Sequence, residues 1–146
     1  MLPADWNPID SLAVLMLAVA AADAEADRVE LDAITERLRL LAPKAPERAE
    51  AAVHRALQHW VLELVPGVGR EPGAWVEWHC TLLAERYPDA VRRRFVMDMV
   101  TVARASGGPR AAEIELAAAM ASAWGMDALA ASMVAQFQQA TRSRRG

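Results

Sequence analysis

The spacing of apolar residues along the chain predicts helices throughout. Apolar positions recur at three- and four-residue steps, and no stretch alternates strictly between apolar and polar residues. In the predicted fifth helix the apolar positions form one stripe, at Phe95, Met99, Val102 and Ala103. Glycine is sparse, with 7 residues, and alanine is abundant, a balance that also favours helix. The pattern therefore predicts an all-α protein.

Proline, glycine and capping residues divide this pattern into seven predicted helices. Asn7 and Pro8 have the types expected at the start of the first helix, and Asp27 and Glu30 have capping-box spacing at the start of the second. The clearest loop, 65–73, is rich in proline and glycine and separates two halves. The predicted helices cover about 8–22, 28–42, 46–64, 74–87, 88–105, 110–124 and 127–141, followed by a basic tail, 142–146, that is expected to fray.

One helix–break–helix segment occurs twice, because residues 13–41 return in altered form at 96–124. The first and fifth helices are apolar around most of their circumference. Since a two-helix repeat cannot bury such a helix alone, we expect these two to pack together in one core, with the second and sixth helices beside them in pseudo-twofold positions. The matched positions are Met16 with Met99, Val19 with Val102, Ala20 with Ala103, Ala22 with Ala105, Glu30 with Glu113 and Leu31 with Ile114.

Length and composition place limits on this picture. A chain of 146 residues suits one domain, 1–146, with repeat one at about 8–64 and repeat two at about 74–141. A net charge of −3 argues against non-specific nucleic-acid binding, which needs a basic face. The single cysteine, Cys80, fits a reducing compartment. The apolar run 12–22 is too short to cross a membrane and lacks the basic residues that begin a secretory signal, so we expect a cytoplasmic protein without a transmembrane segment.

The break after the first helix is acidic in the first copy, whereas the second copy has Ser-Gly-Gly-Pro there. Carboxylate oxygens are the ligands that Ca²⁺ and Mg²⁺ prefer, although the spacing is not that of an EF-hand. The alternative is structural, with Asp27 and Glu30 forming a capping box, Asp23 accepting backbone N–H groups in the turn, and Glu25 and Asp32 solvated. If a metal binds, its predicted ligands are Asp23, Glu25, Asp27 and Glu30, and a divalent cation is the one cofactor that the sequence suggests.

The other polar and aromatic residues favour packing over catalysis. His54 and His59 are five positions apart, about 140° around a helix, so they cannot chelate one ion, while His54 and Glu50 are spaced to form a pair on one face. An enzyme with Cys80 as nucleophile is the least favoured hypothesis, because His79 points about 100° away from it on an ideal helix. The five tryptophans are expected mainly in the core. No catalytic residues are assigned, and the protein is predicted not to be an enzyme.

The two copies resemble the TerB-like tellurite-resistance family. In the first copy an apolar helix ends in Ala22 and Asp23, and Glu30 follows seven residues later at the start of a periodic helix. The second copy carries the segment YPDAVRRRF at 87–95, Glu113, and the segment AWGM at 123–126. The similarity spans about 9–137, nearly the whole chain. The sequence departs from the family pattern at Ala24, where the family has glycine, and at Ser106, where it has aspartate.

This resemblance implies an all-helical domain of about seven helices with pseudo-twofold internal repetition. Members are associated with bacterial resistance to tellurite and other stresses, and related domains begin membrane-bound DnaJ-type co-chaperones. The resemblance and the absence of a catalytic motif suggest a non-enzymatic stress-response or scaffold domain that acts through contacts with an unidentified protein partner. The alternative is a divalent-cation-binding module that uses the acidic break. The oligomeric state stays open at this point.

Overall fold

The computed structural model describes residues 7–20, 28–63, 72–105 and 110–145, and the side chains of 7–20, 28–58, 77–105 and 110–143. Seven helices and no strand occur in these ranges, so the all-α prediction is confirmed. The helices pack into one compact bundle, and none of those described is long and apolar enough to cross a membrane. They are α1 (Pro8–Ala20), α2 (Arg28–Leu41), α3 (Glu47–Glu63), α4 (Pro72–Arg86), α5 (Asp89–Arg104), α6 (Ala111–Ala123) and α7 (Asp127–Arg145).

Helix α1 begins at the residues that the sequence indicates. The backbone N–H of Ile9 donates a hydrogen bond to Oδ1 of Asn7 at 3.1 Å. The backbone N–H of Asn7 donates in turn to Oδ2 of Asp10, also at 3.1 Å. This reciprocal pair satisfies donors that the first turn of a helix leaves without an intrahelical partner. The predicted cap is therefore confirmed.

The turn between α6 and α7 reverses the chain. Gly125 has a φ of +77°, a left-handed conformation that residues with a Cβ adopt at a cost. The N–H of Met126 donates to the carbonyl of Ala121 at 2.8 Å, and the N–H of Gly125 donates to that of Ser122 at 2.9 Å. These bonds satisfy the last carbonyl groups of α6, and α7 folds back along it.

Helix α7 continues further than the sequence predicts. It is helical through Arg145, four residues beyond the end near 141 that the sequence predicts, while the fraying of the tail 142–146 stays a prediction. No proline or glycine interrupts the segment, and arginines at a helix C-terminus interact favourably with the helix dipole. These features favour continuation of the helix.

The core is built around α1. All residues of α1 from Asp10 to Ala20 are buried, and the helix contacts α2, α3, α4, α5 and α6. Its apolar circumference requires neighbours on every side, and the bundle supplies them. The predicted packing of α1 against α5 is confirmed. The side chains expected at this contact are all 0% exposed, namely Leu15, Met16, Val19, Met99, Val102 and Ala103.

Helix α5 is less central than its sequence pattern suggests. One side is buried in the core, but the other side is exposed at Arg93, Arg94, Met97, Thr101 and Arg104. The difference from α1 follows from the neighbours of each helix. Helix α3 packs against both α1 and α2, whereas α7 packs against α6 and does not contact α5. The outer side of α5 therefore faces away from every helix described, although its inner side has the several neighbours expected of it, α1, α2, α4 and α6.

Candidate functional site

A buried polar cluster joins α1, α3 and α4 at the start of α1. Its members are Asp10 (3% exposed), Ser11 and His79 (both 0%), together with the half-buried Arg55. The sequence pattern did not single out Asp10, Ser11 or Arg55. A signal was present, because Asp10 and Ser11 are the only polar residues in an otherwise apolar helix after its proline start. Their partners lie 45 and 68 residues away and could not be found from local spacing.

Asp10 connects the N-terminus of α1 to α3. Its Oδ2 lies 3.1 Å from Nη1 of Arg55 and also accepts the hydrogen bond from the backbone of Asn7. The aspartate side chain is 4% exposed and that of Arg55 is 28% exposed. A carboxylate buried to this degree requires charge-assisted hydrogen bonds to offset its lost hydration. The ion pair is therefore a structural contact that fixes α3 against α1.

Ser11 and His79 form the second part of the cluster. The serine Oγ and the imidazole Nδ1 are 2.8 Å apart and share a hydrogen bond between α1 and α4. A hydroxyl beside an imidazole is also the arrangement of a nucleophile and its base. Both residues are 0% exposed, so a substrate has no approach to the hydroxyl in this conformation. The geometry supports a helix–helix contact and not a catalytic pair.

Cys80 lies next to this cluster and is 3% exposed. Desolvation by burial, followed by the nearby charge of Glu77, raises the pKa of the Cys80 thiol to about 12. A nucleophilic cysteine needs the opposite setting, with a lowered pKa and partial exposure. Its backbone carbonyl instead accepts a hydrogen bond from Nε1 of Trp124 at 2.9 Å. This environment argues against the hypothesis of a Cys80 nucleophile.

Of the four predicted metal ligands, Glu30 alone lies in the part of the chain that the structure describes; Asp23, Glu25 and Asp27 lie outside it. Glu30 is 4% exposed at the third position of α2, and Glu113 is 2% exposed at the third position of α6. Oε1 of Glu113 accepts the backbone N–H of Arg110 at 3.0 Å, as in a capping box. No group of three or more metal-ligating side chains occurs within the described ranges. The metal site stays a prediction.

The histidine and tryptophan expectations are met in part. Glu50 forms an exposed ion pair with Arg39 of α2, so its carboxylate has a partner other than His54. The side chain of His54 is exposed. Trp124 is 6% exposed and its indole N–H is satisfied, as expected for a core tryptophan. Trp78 is 46% exposed, so the core expectation is wrong for it. The side chains of His59, Trp6, Trp60 and Trp75 lie outside the described set.

Helix α2 presents apolar side chains to solvent. Val29 is 54% exposed and Leu40 is 56% exposed, and a separation of eleven residues places them on one side of the helix. The half-buried Ala33 and the exposed Glu36 lie between them on the same side. We call Val29, Ala33 and Leu40 the α2 face. Beside it, Nη1 of Arg37 lies 3.9 Å from Oδ1 of Asp98 and connects α2 to α5.

Open grooves occur on the surface that the described residues form. A groove of about 380 Å³ is lined by Asn7, Pro8, Leu82, Glu85 and Arg86, one helical turn from the Ser11–His79 contact. A larger groove, of about 540 Å³, lies between α6 and α7. Its apolar lining consists of Ala118, Ala119, Ala130, Ala131, Val134 and Ala135. Both grooves are open surface features.

Comparisons of the chain with protein-family models, with curated proteins and with solved structures found no match.

Proposed function

We propose that the protein is a non-enzymatic, TerB-like helical domain that acts as a stress-response scaffold through protein–protein contacts, with a link to tellurite or metal stress. The observation that carries the contact role is the α2 face. Large apolar side chains that stay half exposed on one side of a helix are a recurring feature of surfaces that bind a partner helix or groove. In this chain Val29 and Leu40 have that arrangement, three helical turns apart.

The internal repeat is part of the same proposal. Helices α2 and α6 begin at Arg28 and Ala111, which are separated by the same offset as the repeated sequence segments. Each carries a buried glutamate at its third position, Glu30 and Glu113. The cross contacts α1–α6 and α2–α5 both occur, as two related halves require. These regularities support a duplicated origin, and the TerB-like assignment itself rests on the sequence resemblance.

The environments of the polar groups support a binding role over a catalytic one. Asp10 and Ser11 are engaged with Arg55 and His79 in contacts between helices. The raised pKa of Cys80 keeps its thiol protonated at neutral pH. A scaffold needs no reactive side chain, so these assignments agree with the proposal.

The contact role is tested by affinity capture from the native host grown with and without tellurite. The test compares the wild type, a Val29→Asp/Leu40→Asp variant and a Met97→Asp control. Met97 is also about half exposed but lies on α5. We expect one reproducible partner that the wild type and the control retain and the double variant loses. Circular dichroism of all three proteins checks the fold, and the absence of a reproducible partner would contradict the proposal.

The alternative function is a divalent-cation-binding module. Its support is the run of carboxylates that precedes α2 in the sequence, whereas the burial of Glu30 itself fits a capping residue. Calorimetric titration with Ca²⁺, Mg²⁺, Mn²⁺ and Zn²⁺ tests it, with Asp23→Ala as the site variant and Asp127→Ala as the control at another acidic residue. Binding at micromolar metal that Asp23→Ala abolishes and Asp127→Ala retains would establish this function. A titration that shows no heat of binding with any of the four cations would exclude this alternative function.

A further inference from the structure

The groove between α6 and α7 is an open surface whose lining combines apolar residues, most of them alanine, with Glu115, Ser122, Asp127 and Gln138. Helix α7 packs against α6 and contacts no other described helix, so one side of it is open along its length. Ala119 on α6 and Ala131 and Ala135 on α7 line the groove and are exposed. Because alanine has no side chain beyond Cβ, a second helix can approach this surface closely.

The open side of α7 carries opposite charges at its two ends. Asp127, Ala131, Ala135, Gln138 and Arg142 follow one another at steps of four, four, three and four residues, so they share one side of the helix. All five are exposed. Asp127 and Arg142 are about 22 Å apart along the helix, at 1.5 Å per residue. The side therefore begins with a carboxylate, ends with a guanidinium and is uncharged between them.

This charge pattern is complementary to itself in one orientation. The midpoint between Asp127 and Arg142 falls between Val134 and Ala135. A twofold axis at that point, perpendicular to the helix, places Asp127 of each copy beside Arg142 of the other. A parallel arrangement would instead place like charges together, which costs binding energy.

We propose that two copies of this chain associate through the α6–α7 groove, with the two α7 helices antiparallel and Ala135 next to the twofold axis. The small side chains at Ala131 and Ala135 allow an interaxial distance near the lower end of the usual range, about 8 Å. Two reciprocal Asp127–Arg142 pairs fix the register. This surface is separate from the α2 face, so the dimer does not depend on the proposed partner.

The test measures molar mass by light scattering and sedimentation equilibrium between low micromolar and submillimolar protein. We expect the wild type to shift from 15.9 kDa towards twice that value as its concentration rises. Ala135→Glu places two carboxylates at the axis and should weaken association at least tenfold. Ala140→Glu makes the same change at an exposed residue about 140° further around α7 and should leave association unchanged.

Charge reversal and cross-linking test the antiparallel register itself. Arg142→Asp should weaken association, and the double variant Asp127→Arg/Arg142→Asp should restore it, because the pattern is complementary again. In an Ala135→Cys variant the two thiols meet at the axis and should cross-link under mild oxidation, whereas Ala140→Cys should not. A wild type that stays at 15.9 kDa over the whole range, or a dimer that Ala135→Glu leaves intact, would overturn the proposal.

Discussion

Arg55 and Asp10 form an ion pair across the α1–α3 contact, with Nη1 and Oδ2 3.1 Å apart. The carboxylate is almost fully buried, and the guanidinium shields it from the outside of the bundle. Pairs of this kind contribute little net stability compared with an apolar replacement of both partners, but they are costly to break on one side. Asp10 is therefore tolerated inside the bundle because Arg55 is present.

The first prediction is that Arg55→Met destabilises the fold. The substitution keeps much of the apolar stem of the side chain but leaves the Asp10 carboxylate without its cation, which should cost about 3–5 kcal/mol, or somewhat less because Arg55 keeps some contact with water. Urea unfolding followed by circular dichroism measures the change. Arg39→Met removes the exposed pair with Glu50 and should cost at most about 1 kcal/mol. Equal losses of unfolding free energy in Arg55→Met and Arg39→Met would contradict the assignment of Asp10 as a buried carboxylate that requires Arg55.

The second prediction concerns a double variant that checks the same cause. In Asp10→Asn/Arg55→Met no charge is buried, so the double variant should be more stable than Arg55→Met alone. The two single variants Asp10→Asn and Arg55→Met give the reference values. If the double variant loses as much unfolding free energy as the two single variants lose together, the buried charge is not the source of the loss.

The third prediction concerns Asp98 and pH. Desolvation by burial raises the pKa of the Asp98 carboxyl above its usual value, and the charges of Arg37 and Arg94 offset this only in part. Between the unfolded pKa of about 3.9 and the raised folded value, the folded state therefore binds more protons than the unfolded state. This residue makes the protein less stable as the pH rises through that interval.

The substitution Asp98→Asn removes that contribution. The free energy of unfolding of the variant, minus that of the wild type, should increase as the pH rises from about 3.9 through the folded pKa and then level off. Urea unfolding at several pH values measures this difference. An NMR titration of the Asp98 carboxyl gives an independent check, since a midpoint at or below 3.8 would contradict the direction of the shift.

The parts of the fold that depend on local patterns could be predicted from the sequence. Asn7 marked the start of α1, and three- and four-residue spacing identified Met99 and Val102 as core positions. The contact of Ser11 with His79 could not be predicted, because the two residues are 68 positions apart and no periodic pattern relates them. The exposed side of α5 also escaped prediction, since it depends on where α7 packs.

The role of the residues in the candidate metal site could also not be predicted from the sequence alone. Glu30 has the spacing of both a metal ligand and a capping residue, and sequence alone does not separate the two roles. Its burial at the third position of α2, matching Glu113 in α6, favours capping for this one residue. The three remaining candidates, Asp23, Glu25 and Asp27, lie outside the described residues and depend on titration.

The fourth prediction uses Val102, which is 0% exposed at the contact of α5 with the core. Val102→Ala removes two methyl groups from a closely packed interior and should cost about 1–3 kcal/mol, because the cavity adds to the lost transfer free energy. Thr101→Ala changes the neighbouring exposed residue and should alter stability by no more than about 0.5 kcal/mol. Thermal and urea unfolding of both variants make the comparison, and a smaller loss at Val102 than at Thr101 would mean that the core is placed wrongly.

The last prediction concerns the reactivity of Cys80. With a pKa raised to about 12 by burial and by Glu77, only a very small fraction of the thiol is ionised at pH 7, and the side chain is 3% exposed. An aromatic disulfide reagent should therefore react with the native protein far more slowly than with the protein in denaturant, where the one cysteine should react fully. Glu77→Gln removes the lesser cause of the shift and leaves the burial unchanged, so the native rate should stay slow. Rapid labelling of the native wild type at pH 7 would instead place the thiol in an accessible, ionisable setting, and it would make Cys80 a candidate nucleophile again.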